Sequence, residues 1–124
     1  MTDTKTTLLM NIIYEVKAEP IPTDIRLIVK DCILDYLGVT LTGAYELKDK
    51  MTEFLTVMAG EKGDASIIGL EDKTSVYNAA LMNGISSHYF ELDDGSRYGM
   101  VHLGSVILSA LFAVSAVFPV SADY

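Results

Sequence analysis

Both histidines of the chain, His88 and His102, border one short polar stretch that also holds Glu91, Asp93, Asp94 and Arg97. Histidine is the side chain best suited to exchange protons near neutral pH, and a neighbouring carboxylate can fix its tautomer and raise its pKa. Arg97 has the planar fork that grips a substrate carboxylate, and the free amides at the start of the helix expected after His102 could add to an anionic site. Such a set suits proton chemistry on a di- or tricarboxylic acid. A plainer reading stands beside it: Asp-Asp-Gly at 93–95 is a common turn, Arg97 would neutralise it, and a histidine can simply cap a helix.

The same residues could in principle bind zinc or iron, with two imidazoles and up to three carboxylates. No HxxxH or HExxH spacing puts two ligands on one helical face, however, and no metal is expected. No G-x-G-x-x-G or G-x-x-x-x-G-K-[ST] motif is present, so dinucleotide and nucleoside-triphosphate chemistry lack support. A nucleophile elbow is also missing, which leaves a serine or cysteine hydrolase without a basis.

Helical spacing dominates the elements that would position these groups. Leu8, Leu9, Ile12, Ile13 and Val16 predict a helix over 6–18, stopped by Pro20 and Pro22. Thr23 or Asp24 can cap a second helix, whose apolar face runs through Ile25, Ile28, Val29, Cys32, Ile33, Tyr36 and Leu37. It is expected to continue past Gly38 and Gly43, as small residues at a close packing contact, to about Ala44. A third helix is expected over 47–58, ended by Gly60 and Gly63, then a short extended piece over 65–69. Thr74 or Ser75 can cap a fourth helix reaching His88, rich in small residues and suited to close packing. The 91–100 segment reads as a polar loop, and 103–120 is apolar on every face, which in a soluble protein means a helix surrounded by other protein.

With 124 residues the chain can form one domain with one core. A mean hydropathy of +0.31 is high for a free-standing domain of this size, so another surface is expected to cover part of it. Four amphipathic helices cannot easily form a core of their own and also enclose a fifth, hence the expectation of a homo-oligomer or a partner chain over the 103–120 helix.

The 17 acidic against 9 basic residues give a net charge of −8, which argues against nucleic acid and anionic membranes as partners. The single cysteine, Cys32, cannot form an internal disulfide and is expected to be a small buried hydrophobe. The opening Met-Thr-Asp-Thr-Lys lacks a secretory pattern, so a cytoplasmic location is expected. The uncharged run after Gly99 is long enough to raise the question of a membrane span, but its serines and glycines and the lack of a basic flank speak against one.

In order along the chain, Ile21-Pro22, the stretch Cys32 to Val39 with Gly43, Ala65-Ser66-Ile67-Ile68-Gly69, Ala79 to Gly84, His88, Glu91-Leu92-Asp93-Asp94-Gly95 and His102 resemble the opening of MmgE/PrpD proteins. That resemblance implies relatives such as 2-methylcitrate dehydratase, cis-aconitate decarboxylase and iminodisuccinate epimerase, which move protons next to carboxylates without a metal or organic cofactor. It implies an all-α bundle corresponding to the first part of the family's large helical domain over 1–124, with the α/β lid domain absent. By position it places the acidic motif on Glu91, Asp93 and Asp94, and the histidine of the following H-P-G type motif on His102.

Two departures stand out: Glu91 where several members have aspartate, and Leu103 where proline usually follows the histidine. Proline at the first turn preorganises a helix, so Leu103 is expected to loosen the aim of His102. The resemblance therefore implies His102 as the catalytic proton donor or acceptor, with Glu91, Asp93, Asp94, Arg97 and His88 around a small polycarboxylate, in a chain that lacks the rest of the cleft. A non-catalytic helical interaction module is the alternative expectation.

Overall fold

A computed structural model describes residues 4–18, 20–58 and 62–118. In chain order these form α1 (Lys5–Ala18), α2 (Thr23–Val57), a two-stranded ribbon of β1 (Ala65–Ser66) and β2 (Lys73–Thr74), α3 (Val76–His88) and α4 (Leu103–Ser115). The domain is mainly helical, as the spacing predicts.

Where two helices are expected over 23–58, the structure has one, α2, of 35 residues. Nothing between Ala44 and Leu47 breaks a helix, and the apolar series passes through both residues without a phase change. The glycines before that point serve packing instead. At Gly43 a Cβ would lie 2.0 Å from the carbonyl oxygen of Ser86 in α3, so only glycine allows the two backbones to approach this closely.

The start of α2 also differs from expectation, for Pro22 is the N-cap and makes no side-chain capping bond, while Thr23 and Asp24 lie in the first turn. The fixed φ of proline, here −54°, sets the chain for the helix, and the Pro22 carbonyl accepts from Arg26 N at 2.9 Å. At α3 the expected cap is present: the Ser75 side chain accepts from the Asn78 amide at 3.3 Å.

The extended piece predicted over 65–69 is shorter and is paired, with Ala65 opposite Thr74 and Ser66 opposite Lys73 in an antiparallel ribbon. Asn83, fully buried in α3, clamps this segment to the helix. Its Oδ1 accepts from Ile68 N at 2.8 Å and its Nδ2 donates to the Ser66 carbonyl at 3.3 Å. Two side-chain hydrogen bonds thus tie the segment at β1 to the Asn83 face of α3.

Helix α4 ends at Ser115, short of the predicted 120, with a turn through 118; residues 119 and 120 lie outside the described residues. Its buried face is Ser105, Ser109 and Ala113, while Leu103, Val106, Ile107, Leu111 and Val114 are exposed. Across this small face the Tyr36 hydroxyl of α2 meets Ser109 Oγ at 2.8 Å, and its ring stacks on Phe112 with centroids 5.7 Å apart.

The core is small: Ala44, Leu47 and Met51 of α2, Ala65, Ile67, Ala79 and Met82, and Ala113 of α4. Among the largest fully buried side chains, Ile67 is apolar whereas Asn83, Thr40, Ser86 and Ser87 are polar. By contrast, α1 exposes Leu8, Leu9, Ile12, Ile13 and Val16, and the first turns of α2 expose Ile25, Ile28 and Val29.

Cys32 belongs to that second region and is exposed, contrary to the expectation of burial. Ile25, Ile28 and Val29, on the part of the apolar face before Tyr36, are exposed as well, so periodicity alone gives the wrong burial there. Among the described residues no helix is long and apolar enough to cross a membrane.

Candidate active site

The polar stretch is held at both ends by helix packing. His88 is the last residue of α3 and His102 is the N-cap of α4. The two helices cross close together at Gly84, where a Cβ would lie 3.6 Å from the Ser105 carbonyl oxygen. Between them the chain makes two tight turns. Glu91 sits at φ 53° with its amide donating to the His88 carbonyl at 3.0 Å. Ser96 N donates to the Val101 carbonyl at 2.9 Å, and Met100 N to the Ser96 carbonyl at 2.8 Å, closing a small loop.

Asp93 lies at the centre. Its side chain is 2% exposed, while those of His88 and His102 are 49% and 45% exposed. His88 Nδ1 donates to Asp93 Oδ1 at 2.9 Å, and His102 Nδ1 stands 3.4 Å from Asp93 Oδ2. The imidazoles meet edge to face, with centroids 5.0 Å apart. One buried carboxylate thus orients two half-exposed imidazoles through the same ring nitrogen. Each Nε2 is without a partner among the described residues.

The electrostatics follow from this geometry. Burial works against ionisation of Asp93, but hydrogen bonds from His88, from the Ser105 hydroxyl and from its own backbone, together with the His88 charge, outweigh it and hold the carboxyl below its ordinary value. The hydrogen bond to Asp93 and the Asp93 charge raise His88 above its ordinary value, slight burial opposes this, and the Glu91 charge adds to the rise. With its Nδ1–H donated to the ionised carboxylate, His88 has Nε2 left as the nitrogen that gains or loses a proton.

Asp94 faces the other way. Its Oδ1 accepts from the Gly104 amide at 2.8 Å, in the first turn of α4, where a Cβ at Gly104 would fall against that oxygen. Glu91 is exposed and close enough for its charge to act on His88. Arg97 is exposed on the small closed loop and has no ion-pair partner among the described residues. Of the six residues singled out in the sequence, then, the structure gathers His88, Asp93 and His102 into one cluster, sets Asp94 beside it as a helix cap, and leaves Glu91 and Arg97 at the rim in solvent.

Ser105 belongs to the cluster although its residue type gave no warning. Its hydroxyl reaches the His102 carbonyl at 3.2 Å and lies close enough to Asp93 for its single proton to turn to the carboxylate instead and favour ionisation there. The available signal was position, for a serine in the first turn after a histidine N-cap can reach back to it.

The nearest atoms of His88, Asp93 and His102 lie within 4.8 Å of one another, the donor types of a two-histidine, one-carboxylate metal site. In this arrangement the carboxylate accepts the His88 Nδ1–H, so a metal would have to displace that proton. Next to His88 an apolar groove of about 560 Å³ runs between α3 and α4, lined by Leu81, Gly84, Ile85, Ser105, Val106 and Ser109 among others.

Comparison with known proteins agrees with the residue series. The family model for the MmgE/PrpD N-terminal domain matches residues 7–122. The cis-aconitate decarboxylase-like protein oryM of Aspergillus oryzae is 30% identical over 109 residues, which cover 88% of this chain and 23% of that protein. The chain therefore spans about a quarter of the length of this relative. No solved structure matches it significantly.

Proposed function

The chain belongs to the MmgE/PrpD family, and on that premise we propose that it supplies the acid–base side of a proton-transfer site for small polycarboxylates, in a lyase or epimerase. The observation that carries this reading is the buried Asp93 carboxylate shared by the Nδ1 atoms of two half-exposed histidines. A carboxylate that fixes the Nδ1–H tautomer leaves Nε2 aimed outward and basic, which is what abstraction of a proton next to a substrate carboxylate requires.

In this reading His102 exchanges the proton. His88, favoured as imidazolium by Asp93, presents positive charge to the anionic substrate, and Glu91 and Arg97 at the rim select and orient it. The name of the Aspergillus relative supports a tricarboxylate or similar acid as the ligand class. General acid–base catalysis of this kind contributes about 10²- to 10⁴-fold. A water-excluding cover is needed as well, and we assign turnover to the complete protein in which the rest of the cleft closes over this segment.

The test is incubation of the complete protein with a panel of small di- and tricarboxylates, following substrate and product by NMR. Dehydration, decarboxylation or epimerisation of at least one is expected, and loss of about 10²-fold or more in His102→Ala. Unchanged turnover in that variant would overturn the assignment.

A second reading, a helical interaction module, is favoured by one observation: the outer face of α4 and most of α1 carry large apolar side chains in solvent. It expects concentration-dependent association in sedimentation, weakened by Leu111→Lys. A monomer at every concentration would count against it.

A further inference from the structure

We infer that Asp94 is a positioning residue, whose carboxylate caps α4 through Gly104 and thereby holds His102 against Asp93; the functional meaning of this rests on the proton-transfer reading above, but the structural claim does not.

The start of α4 lacks the devices that normally secure a helix. Its N-cap, His102, makes no side-chain capping bond, and Leu103 at the first position brings no proline ring to preset the backbone. Yet this N-cap carries the imidazole whose Nδ1 must stay near Asp93 Oδ2. A frayed first turn would let the ring swing away.

Asp94 fills the gap from outside the helix. Its Oδ1 takes the Gly104 amide at 2.8 Å, one of the amides that the helix itself cannot satisfy, and its charge lies at the positive end of the helix dipole. Gly104 is the matching half of the device. Its φ is not in the left-handed region, so conformational freedom does not explain it, while a Cβ would fall 2.3 Å from Asp94 Oδ1 and 3.1 Å from Cγ. The glycine keeps a space into which the carboxylate fits. Because Asp93 and Asp94 are adjacent, one carboxylate grips the imidazoles while the next anchors the helix from which His102 hangs. The His102 ring also lies beside Gly95, 3.8 Å from Cε1 to a Cβ built there, so the whole 93–95 turn is fitted to it.

A cap and a charge make different demands. Asparagine caps helices about as well as aspartate, whereas a group that binds substrate through its charge is lost in Asp94→Asn. The test uses the full protein without substrate, so that its failure is separate from failure of the proton-transfer reading. Asp94→Ala, Asp94→Asn and Gly104→Ala are compared by imidazole NMR of His102 and by thermal melting. Asp94→Ala is expected to shift the His102 ring resonances and lower the melting temperature by about 4 °C, and Asp94→Asn to restore both.

Gly104→Ala is expected to behave like Asp94→Ala, although alanine ordinarily favours a helix over glycine. Unmoved His102 resonances in Asp94→Ala would overturn the proposal. So would an Asp94→Asn variant as impaired as the alanine variant, since that makes the charge, not the cap, the function of Asp94.

Discussion

Two regions of the molecule are built on opposite rules. Where the second half of α2, α3 and the start of α4 meet, a small core of Leu47, Met51 and Met82 sits among close contacts of glycine against backbone and buried serine, threonine and asparagine, with Ile67 the bulkiest apolar side chain that is fully buried. In α1, the first half of α2 and the outer face of α4, large apolar side chains stand in solvent, with Leu34 71% and Val106 70% exposed. A small autonomous domain would do the reverse and bury its largest apolar groups. The first region gains precision from close backbone approach and satisfied polar groups; no buried side-chain nitrogen or oxygen there is left without a partner among the described residues. It is also the region that carries His88, Asp93 and His102. The second region is the surface on which the interaction-module reading rests.

The sharpest break of this contrast uses one substitution at two places in α2. Gly43→Ala drives a Cβ into the Ser86 backbone, which cannot rotate away, and should cost about 3 kcal/mol. Gly38→Ala meets nothing within 4 Å and should stabilise by about 1 kcal/mol through helix propensity. Urea denaturation midpoints measure both. Equal effects would erase the distinction between the two halves of the helix.

Asn83→Ala comes next. It leaves the Ile68 amide and the Ser66 carbonyl without their side-chain partner and is expected to cost about 2 kcal/mol, with faster amide exchange at Ile68. Exposed apolar positions such as Leu34→Ala should stay within about 0.5 kcal/mol in the isolated chain.

The smallest effect is the pH dependence of the site. His88 is raised above its ordinary 6.5, so its contribution is complete below that pH and is lost as pH rises through the raised value. Asp93 is held below its ordinary 3.8, so its contribution is complete above that pH and is lost as pH falls through the lowered value. Stability from this pair is therefore greatest between about pH 4 and 6.5. In His88→Gln the decline on the alkaline side of the melting-temperature profile should flatten; an unchanged profile would separate the pair from folding.

How much of this could be read from the residues depends on which signal each feature leaves. Helical periodicity marks α1, α3 and α4 to within a few residues, since burial on one face imposes it directly. It fails at the joint after Ala44, where two expected helices are one, because the short polar interval before Leu47 imitates a break, while the expected close packing at Gly43 is present. It fails again at Cys32, because helical spacing of apolar residues does not by itself say whether another element is laid against that part of the face.

In the candidate site, residue type picked out all three members of the Asp93 cluster, His88 and His102 included, as titratable groups close in sequence. Their ranking was not legible. Asp93 and Asp94 are adjacent and chemically identical, yet one turns inward to the imidazoles and the other outward to an amide, a difference set by the turn and by the space over Gly104. Arg97 is singled out by its carboxylate-gripping fork, a property of residue type that carries no information on placement, and it lies exposed on the closed turn from Ser96 to Val101.

The central claim is that one buried carboxylate aims two histidines, and nitrogen-15 NMR of the imidazoles in wild type and Asp93→Asn tests it most directly. With Asp93 in place the His88 ring should show Nδ1 as the protonated nitrogen of the neutral form, and Asp93→Asn should shift it away from that tautomer, lower the His88 midpoint and move the resonances of the His102 ring that Asp93 faces. Identical spectra and midpoints in the two proteins would show that the imidazoles are oriented by something other than Asp93, and the account of the site would fail.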